Sequence, residues 1–432
     1  MKESRPIRRR QLALLAVPAA ASLLLAGCAA GSTSADSGPE PQTITFAFGP
    51  ANANDSAQWN ALAKAYEAAH PGVTVNLQQL PGESYSSAIA TRVQGGNAPD
   101  VFEVTSGSGQ ADAVEPFAKA GLLLELSDPA VKAALPKGQE SQWEYNDKVY
   151  SFPTSSAANG VVYNDQLAKS VGITIDATTN LDQVIQDCSV ASSKGKAIFG
   201  LAGSVPANNG FLASGIAAST VYGSDPNWNQ ERADGKVTFA GTRGWVQALT
   251  YIKKMYDAGC FQPGAAGAGF DALTNDSSQG KVLGFFAPSG AAKSIMDGAG
   301  GHVTLEVLPI PAPAGVKQYL SVSSDISVAG SAKTKSPKLV ADFIKFLSTD
   351  QGATTFANTQ GSIPVTATSS TKLLPQYEPV KTMIQNQDYR GFASAGWSNS
   401  KVYDDLGSGV QGIITGQMNV QQVLQQMDAD WS

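Results

Sequence analysis

Short stretches of alternating hydrophobic and polar residues follow one another along this chain, separated by stretches with helical spacing. Residues 43–48 and 73–77 alternate as strands do, and residues 57–69 place their apolar side chains on one stripe of a helix. Pro71 and Gly72 stop that helix before the second strand begins. The order predicts a β-α-β unit at the start of the folded body.

A second unit of the same kind follows directly. Residues 84–94 have a helical pattern, and residues 100–104 form a short apolar run typical of a buried strand. The fold class predicted is therefore α/β with open sheets. Such sheets bind ligands beyond the carboxyl ends of their strands, which here are the loops after Phe48, Leu77 and Val104.

The rest of the chain continues this alternation with more helix. The predicted helices are 181–193, 243–258, 290–299, 337–348, 350–359, 402–415 and 420–431. The predicted strands are 198–201, 282–286, 303–309 and 326–328.

The first residues read as a targeting segment. Three arginines at 8–10 precede an apolar run at 12–25, which is too short for an ordinary membrane-spanning helix but fits a secretory signal. The run ends in Leu-Ala-Gly-Cys, which resembles a bacterial lipobox with Cys28 as the lipidated residue. We expect a signal peptide at 1–27 and a flexible tether at 28–42. A generic signal sequence with an unrelated cysteine is the alternative, and Sec and Tat export both stay open.

The amino-acid composition excludes two classes of protein. The chain has 432 residues, is 42% hydrophobic and carries a net charge of −6, so it is neither a disordered acidic chain nor a basic nucleic-acid binder. Two cysteines remain after Cys28. In an oxidising compartment Cys188 and Cys260 are either bridged or a pair of buried thiols.

The usual signatures of catalysis are missing from the sequence. The two histidines, His70 and His302, are too few for a zinc site, and no Gly-x-Ser-x-Gly elbow accompanies them. Ser-Ser-Thr-Lys at 369–372 lacks its companion motifs, and Gly280-Lys281 lacks the rest of a phosphate-binding loop. We therefore expect no enzyme, cofactor or metal, although a glycosidase carboxylate pair stays open.

Six ordered blocks carry a family resemblance. They include Gly-Asn-Ala-Pro-Asp-Val and Asp-Lys-Val-Tyr-Ser-Phe-Pro, and they occupy residues 96–101, 147–153, 162–165, 279–284, 308–311 and 341–347. Together they resemble the extracellular solute-binding proteins of bacterial ABC importers, in the carbohydrate-binding group related to maltose-binding protein. The one departure is Asp147, where the family has glycine.

The resemblance implies a two-lobed, type II periplasmic-binding-protein-like fold with a hinge and a cleft between the lobes. Mapped onto this chain, the first lobe would comprise 43–153 plus 312–361, and the second 154–311 plus 362–432. The expected partners are a carbohydrate, membrane permease subunits served by a separate ATPase, and the membrane through the lipid anchor. The protein would be an extracytoplasmic monomer.

Two tryptophans in polar loops, Trp228 and Trp397, are the candidates for stacking on a sugar. The resemblance implies further ligand-binding positions, which are Asn54, Asp55, Tyr85, Ser86, Thr105, Ser106, Asn159, Asn208, Asn209, Phe286, Ser289 and Tyr403. Asp100 is assigned to structure. The alternative for any one of these amides and hydroxyls is a cap or turn role.

The function expected is a lipid-anchored receptor that delivers a mono- or oligosaccharide to an ABC permease. Most of the candidate side chains are amides or hydroxyls and arginine is sparse among the candidate loops, which favours a neutral ligand. The alternatives are an osmolyte or peptide bound by the same fold, or an exported carbohydrate-active hydrolase.

Overall fold

The computed structural model describes residues 42–49, 56–81, 84–108, 112–136, 139–324, 326–368, 370–386, 388–399 and 401–431. The expected signal peptide, Cys28 and the tether up to residue 41 lie outside the described residues, as do Asn54 and Asp55. Within the described ranges, no helix is long and apolar enough to cross a membrane.

The strands are β1 (Thr43–Phe48), β2 (Thr74–Gln79), β3 (Val101–Val104), β4 (Glu144–Tyr145), β5 (Lys148–Val149), β6 (Ser151–Pro153), β7 (Ser156–Tyr163), β8 (Ala197–Gly200), β9 (Val282–Pro288), β10 (Glu306–Leu308), β11 (Leu320–Ser324), β12 (Ser327–Gly330) and β13 (Tyr389–Gly391).

The α-helices are α1 (Ala57–Ala69), α2 (Tyr85–Gly95), α3 (Val114–Lys119), α4 (Pro129–Ala133), α5 (Asp165–Ser170), α6 (Leu181–Ser193), α7 (Pro206–Thr220), α8 (Trp228–Ala233), α9 (Arg243–Asp257), α10 (Phe270–Ser278), α11 (Gly290–Gly298), α12 (Pro337–Leu347), α13 (Asp350–Gln360), α14 (Lys381–Gln385), α15 (Lys401–Thr415) and α16 (Val420–Ala429).

Five strands form the first sheet, in the order β2-β1-β3-β12-β6. β1 lies parallel to β2 and β3, while β12 runs antiparallel to β3 and β6. Both faces are buried: Phe46 belongs to the core on one side and Ala47 to the core on the other. This double burial explains why β3 is a continuous apolar run apart from Glu103.

The second sheet has the order β13-β11-β7-β9-β8, and β10 pairs with the C-terminal end of β7. β7 is central and antiparallel to β9 and β11. Its alternate residues also enter separate cores, since Val161 packs on one face and Val162 on the other. Each sheet is therefore the middle layer of its own α/β sandwich. We call the two sandwiches the first lobe and the second lobe.

In the part of the chain that the structure describes, three segments pass between the two lobes: 153–156, the segment between Ser324 and Ser327, and 361–363. The three crossing segments are hydrogen-bonded side by side. The amide and hydroxyl of Thr154 both donate to the Ile326 carbonyl at 2.8 Å, and the backbones of Ser156 and Ile363 exchange hydrogen bonds of 2.9 and 2.8 Å. This narrow bridge is the structural counterpart of a hinge.

One lobe boundary differs from the expectation. The first and third crossings lie at 153–156 and 361–363. The second does not lie at 312, because β11 pairs with β7 and β13 in the second sheet. Residues 312–324 thus belong to the second lobe, and the chain leaves it only after Ser324.

Two helices of the second lobe begin with the same reciprocal cap. Asn180 accepts from the Gln183 amide while the Gln183 side chain accepts from the Asn180 amide, and Asn419 with Gln422 repeats the arrangement. Each pair satisfies amide groups that a helix start leaves without intrahelical partners. The caps set where α6 and α16 begin.

A disulfide joins Cys188, in the second half of α6, to Cys260, which follows α9. The Cα atoms are 4.7 Å apart, and both side chains are fully buried. Of the two states left open by the sequence, the structure has the bridge.

Removing this disulfide should destabilise the protein. The Cys188→Ala/Cys260→Ala variant should lose about 2–5 kcal/mol of unfolding free energy, because the bridge closes a loop of 72 residues in the unfolded chain. Urea unfolding with and without a reductant measures it. Reductant should destabilise the wild type and leave the variant unchanged, and equal stability of the two proteins would contradict the prediction.

Asp100 ties three parts of the first lobe together. One carboxylate oxygen accepts from the backbone and hydroxyl of Thr45 at 2.9 and 2.8 Å, and the other accepts from the Thr334 hydroxyl at 2.7 Å. Burial alone would raise the pKa of Asp100, but these hydrogen bonds outweigh it and hold the pKa below its usual range. The residue has the structural role expected for it.

Asp100→Asn should lower the unfolding free energy by about 1–2 kcal/mol at neutral pH, since the amide is a poorer acceptor for three donors. A lowered folded pKa stabilises above the unfolded value of about 4, and this contribution disappears as pH falls through the folded pKa. Urea unfolding of wild type and variant from pH 7 to pH 3 should therefore show converging curves. A gap that stays constant would contradict the prediction.

Candidate functional site

A cavity of about 380 Å³ opens on the second lobe beside the crossing segments, where β7 begins and β9 ends. The residues around it come from β7, α7, α10, β9, β11, the segment after β13 and α15. They are Asn159, Ala207, Asn208, Phe211, Phe270, Phe286, Ala287, Pro288, Ser323, Phe392 and Tyr403. This volume lies in the range of small-molecule sites.

Three aromatic rings form one wall of the cavity. Phe392 lies between Phe211 and Tyr403, with a ring centroid distance of 5.9 Å to each. The Tyr403 hydroxyl donates to the Ala207 carbonyl at 3.0 Å, which holds the ring against the start of α7. Gly210 allows this approach, because a Cβ there would lie 2.8 Å from the tyrosine ring. Burial raises the pKa of Tyr403, so its hydroxyl stays neutral.

Phe270 faces the same space but is 53% exposed. It is the first residue of α10, and the segment before it is anchored because the Ala268 carbonyl accepts from the amide and hydroxyl of Ser204 at 3.0 and 2.9 Å. Phe286, by contrast, is 2% exposed and packs into the core. Phe270 is therefore an apolar ring held open to solvent at the cavity.

The polar side chains at the cavity are few and mostly engaged. Asn159 donates to the Ser323 hydroxyl at 3.1 Å across the β7–β11 pair. Asn208 accepts from the Ala202 amide at 3.0 Å and donates to the Phe286 carbonyl at 3.2 Å. Among the described residues lining the cavity, none is acidic, basic or a histidine. The cavity thus suits an uncharged molecule with apolar faces.

The carboxyl edge of the first sheet supplies hydroxyl groups. Ser86 and Thr105 both donate to one oxygen of Asp112, at 2.6 and 3.1 Å. The indole of Trp143 donates to Ser106 and to Ser327 at 3.0 and 2.8 Å. Three predicted positions, Ser86, Thr105 and Ser106, therefore lie on this edge.

Three other predicted positions are buried and serve the scaffold. The Tyr85 hydroxyl donates to the carbonyls of Ala47 and Glu103 at 3.1 Å. Asn209, fully buried, donates to two backbone carbonyls, and Ser289, also fully buried, accepts from the Ala158 amide at 3.1 Å. None of the three lines the cavity, and their polar atoms are bonded to the scaffold.

The two loop tryptophans also belong to the core. Trp228 is 1% exposed, begins α8 and donates its indole proton to Thr242 at 2.9 Å. Trp397 is half-buried, and its ring lies 5.2 Å from Phe239 in the same aromatic cluster. Neither ring lines the cavity, whose aromatic residues are Phe211, Phe270, Phe286, Phe392 and Tyr403.

Of the predicted positions, the cavity brings together Asn159, Asn208, Phe286 and Tyr403. It adds Phe211, Phe270, Ser323 and Phe392, which the sequence did not single out. One feature of the sequence could have marked Phe270 as a site residue. It is an apolar residue that directly follows the small-residue segment 264–269, with no helical stripe before it. No group of three or more potential metal ligands lies close together in the part of the chain that the structure describes.

A family model described as bacterial extracellular solute-binding protein matches residues 50–354, more than half of the chain. The chain belongs to this family. This solute-binding protein is 22% identical over 360 residues to the multiple sugar-binding protein of Streptococcus mutans, covering 82% of each chain. It is also 28% identical to the melibiose/raffinose/stachyose-binding protein MelE of Bacillus subtilis, over 40% of this chain and 38% of that one.

Solved structures show the fold. The apo form of RafE from Streptococcus pneumoniae superposes with a TM-score of 0.71 at 19% identity, covering 90% of this chain and 97% of that one. The two-lobed type II fold expected from the sequence is confirmed. In this solute-binding protein the aromatic cavity lies on the second lobe, and the hydroxyl-bearing edge of Ser86 and Thr105 lies on the first.

Proposed function

We propose that this protein is the lipid-anchored receptor of an ABC-type sugar importer. It captures a mono- or oligosaccharide between its lobes and delivers it to a membrane permease. The observation that carries this proposal is the uncharged aromatic cavity beside the crossing segments.

The chemistry of the cavity matches a sugar. The faces of a pyranose ring carry C–H groups that pack on aromatic rings, and its rim carries hydroxyls that need hydrogen bonds. Phe392 and the exposed Phe270 offer the rings. Asn159 and Ser323 offer amide and hydroxyl groups at the end nearest the crossing.

Charged solutes fit this cavity less well. An amino acid or peptide brings ionised termini, which need paired charges when they leave water. A betaine would need carboxylates beside an aromatic cage. The described lining residues provide neither. The same residues include no pair of carboxyl groups of the kind a glycosidase uses, which favours a receptor over a hydrolase.

The relatives support the sugar assignment by their names. Among them are a multiple sugar-binding protein, a melibiose/raffinose/stachyose-binding protein and a RafE structure in complex with raffinose. Transport also fits the architecture, because closure of two lobes about a hinge shows the permease a different surface when ligand is bound. Lipidation of Cys28 would keep the receptor at the membrane.

A thermal-unfolding screen of the purified protein tests the function. Raffinose, stachyose, melibiose, xylo-oligosaccharides and chitin oligosaccharides form the sugar set, with glycine betaine and amino acids as the charged set. A sugar present at about 100 times its dissociation constant should add about 2.7 kcal/mol and raise the melting temperature by a few degrees, with no product formed. A shift with the charged set alone, or consumption of the sugar, would overturn the proposal.

The aromatic wall should carry much of the affinity. Phe392→Ala and Phe270→Ala should each weaken sugar binding about tenfold, or about 1.4 kcal/mol, because each removes a stacking face. Titration calorimetry measures the affinity. Ile295→Ala is the matched control, since Ile295 is a 40% exposed apolar residue of α11 that does not line the cavity. Equal effects of all three substitutions would contradict the prediction.

A further inference from the structure

Two hydroxyl groups on the first lobe converge on a single buried carboxylate oxygen. Ser86, in the first turn of α2, donates to Oδ1 of Asp112 at 2.6 Å, and Thr105, directly after β3, donates to the same oxygen at 3.1 Å. Asp112 is 4% exposed, whereas Ser86 and Thr105 are half-buried. The two hydroxyl-bearing residues are therefore partly exposed, whereas the aspartate that they contact is buried.

This arrangement fixes the direction of both hydroxyl protons. A carboxylate oxygen only accepts hydrogen bonds, and a hydroxyl has one proton to donate. With that proton directed at Asp112, each hydroxyl presents only its lone pairs to other groups. Ser86 and Thr105 together therefore act as a pair of acceptors.

The backbone holds Asp112 in place before any ligand arrives. Its carbonyl accepts from the Thr105 amide at 3.2 Å, and the Thr105 carbonyl in turn accepts from the Val114 amide at 3.0 Å. This bridge links the end of β3 to the start of α3 and sets the carboxylate under the two hydroxyls. The acceptor pair is thus preorganised, which saves the ordering cost on binding.

The pair also lies near the crossing segment that borders the cavity. Ser106, next to Thr105, has its hydroxyl 2.9 Å from that of Ser327, the first residue of β12. Four residues earlier in the same segment, Ser323 lines the aromatic cavity. The first-lobe edge and the second-lobe cavity therefore flank one crossing.

We propose that Asp112 is a specificity-determining positioning residue, which makes the first-lobe edge select ligand groups that donate hydrogen bonds. A sugar hydroxyl facing Ser86 and Thr105 can donate to them. A group that only accepts, such as a carboxylate or an ether oxygen, meets two lone pairs and is rejected. This inference rests on the proposed function. It adds that ligand groups facing this edge must donate hydrogen bonds.

The test uses whichever sugar of the screen gives the largest melting shift, together with its monodeoxyfluoro derivatives. Fluorine is close to a hydroxyl in size but cannot donate. The wild type should bind at least one derivative ten or more times more weakly than the parent sugar. The ratio to follow is the dissociation constant of the fluorinated derivative divided by that of the parent sugar. In Ser86→Ala and Thr105→Val this ratio should fall below about threefold for the derivative that the wild type binds weakly, since the acceptor is gone. Asp112→Ala should also reduce the ratio, because the freed hydroxyls can then donate.

Ser87→Ala is the matched control. Its hydroxyl lies on the same helix but donates to the Ser84 carbonyl at 3.0 Å, so the ratio should stay at the wild-type value. Melting curves without ligand establish that each variant folds. If Asp112→Ala does not fold, Asp112→Asn takes its place, because the amide can donate to one hydroxyl and so free that hydroxyl's proton. An unchanged ratio in a folded Asp112 variant would overturn the proposal.

Two failures are distinguishable. If the wild type binds no sugar, the proposed function and this inference are both overturned. If it binds sugar but no fluorinated derivative is weakened, or the hydroxyl variants keep the wild-type ratio, only the role of Asp112 is overturned.

Discussion

The backbone hydrogen bonds among the three crossing segments hold the two lobes of this protein in a defined relation. Thr154 is bonded to Ile326, and Ser156 to Ile363, so the segments lie side by side. Strands of both sheets adjoin this bridge: β6 and β12 connect to it from the first lobe, and β7 and β11 from the second. The aromatic cavity and the hydroxyl-bearing edge of the first sheet both lie beside this bridge.

The two surfaces contribute different chemistry. The second lobe supplies aromatic rings with little competing polarity, and Phe270 is kept exposed there by an anchored backbone. The first lobe supplies hydroxyls whose protons point inward to Asp112. Contact with rings favours association through area removed from water, while the orientation of the hydroxyls decides which groups are accepted.

Several polar residues near strand ends serve the scaffold because the backbone there needs partners. Asn208 satisfies the Ala202 amide and the Phe286 carbonyl, and Asn209 satisfies two carbonyls more. A buried backbone group without a partner costs free energy comparable to a lost hydrogen bond, so side-chain amides at such points are used internally first. Sequence position alone cannot separate these amides from those that face a ligand.

The sequence by itself determined the α/β class and the family, because hydrophobic periodicity and ordered motif blocks are local properties of the chain. It also marked Asp100 as structural. It did not reveal α7, whose small and apolar residues are buried on nearly every side and form no stripe. The tertiary structure alone decided the second crossing, the Cys188–Cys260 bridge and the cavity wall. Phe211, Phe270 and Phe392 are far apart in the chain, and only the packing of α7, α10 and the segment after β13 brings them to one cavity.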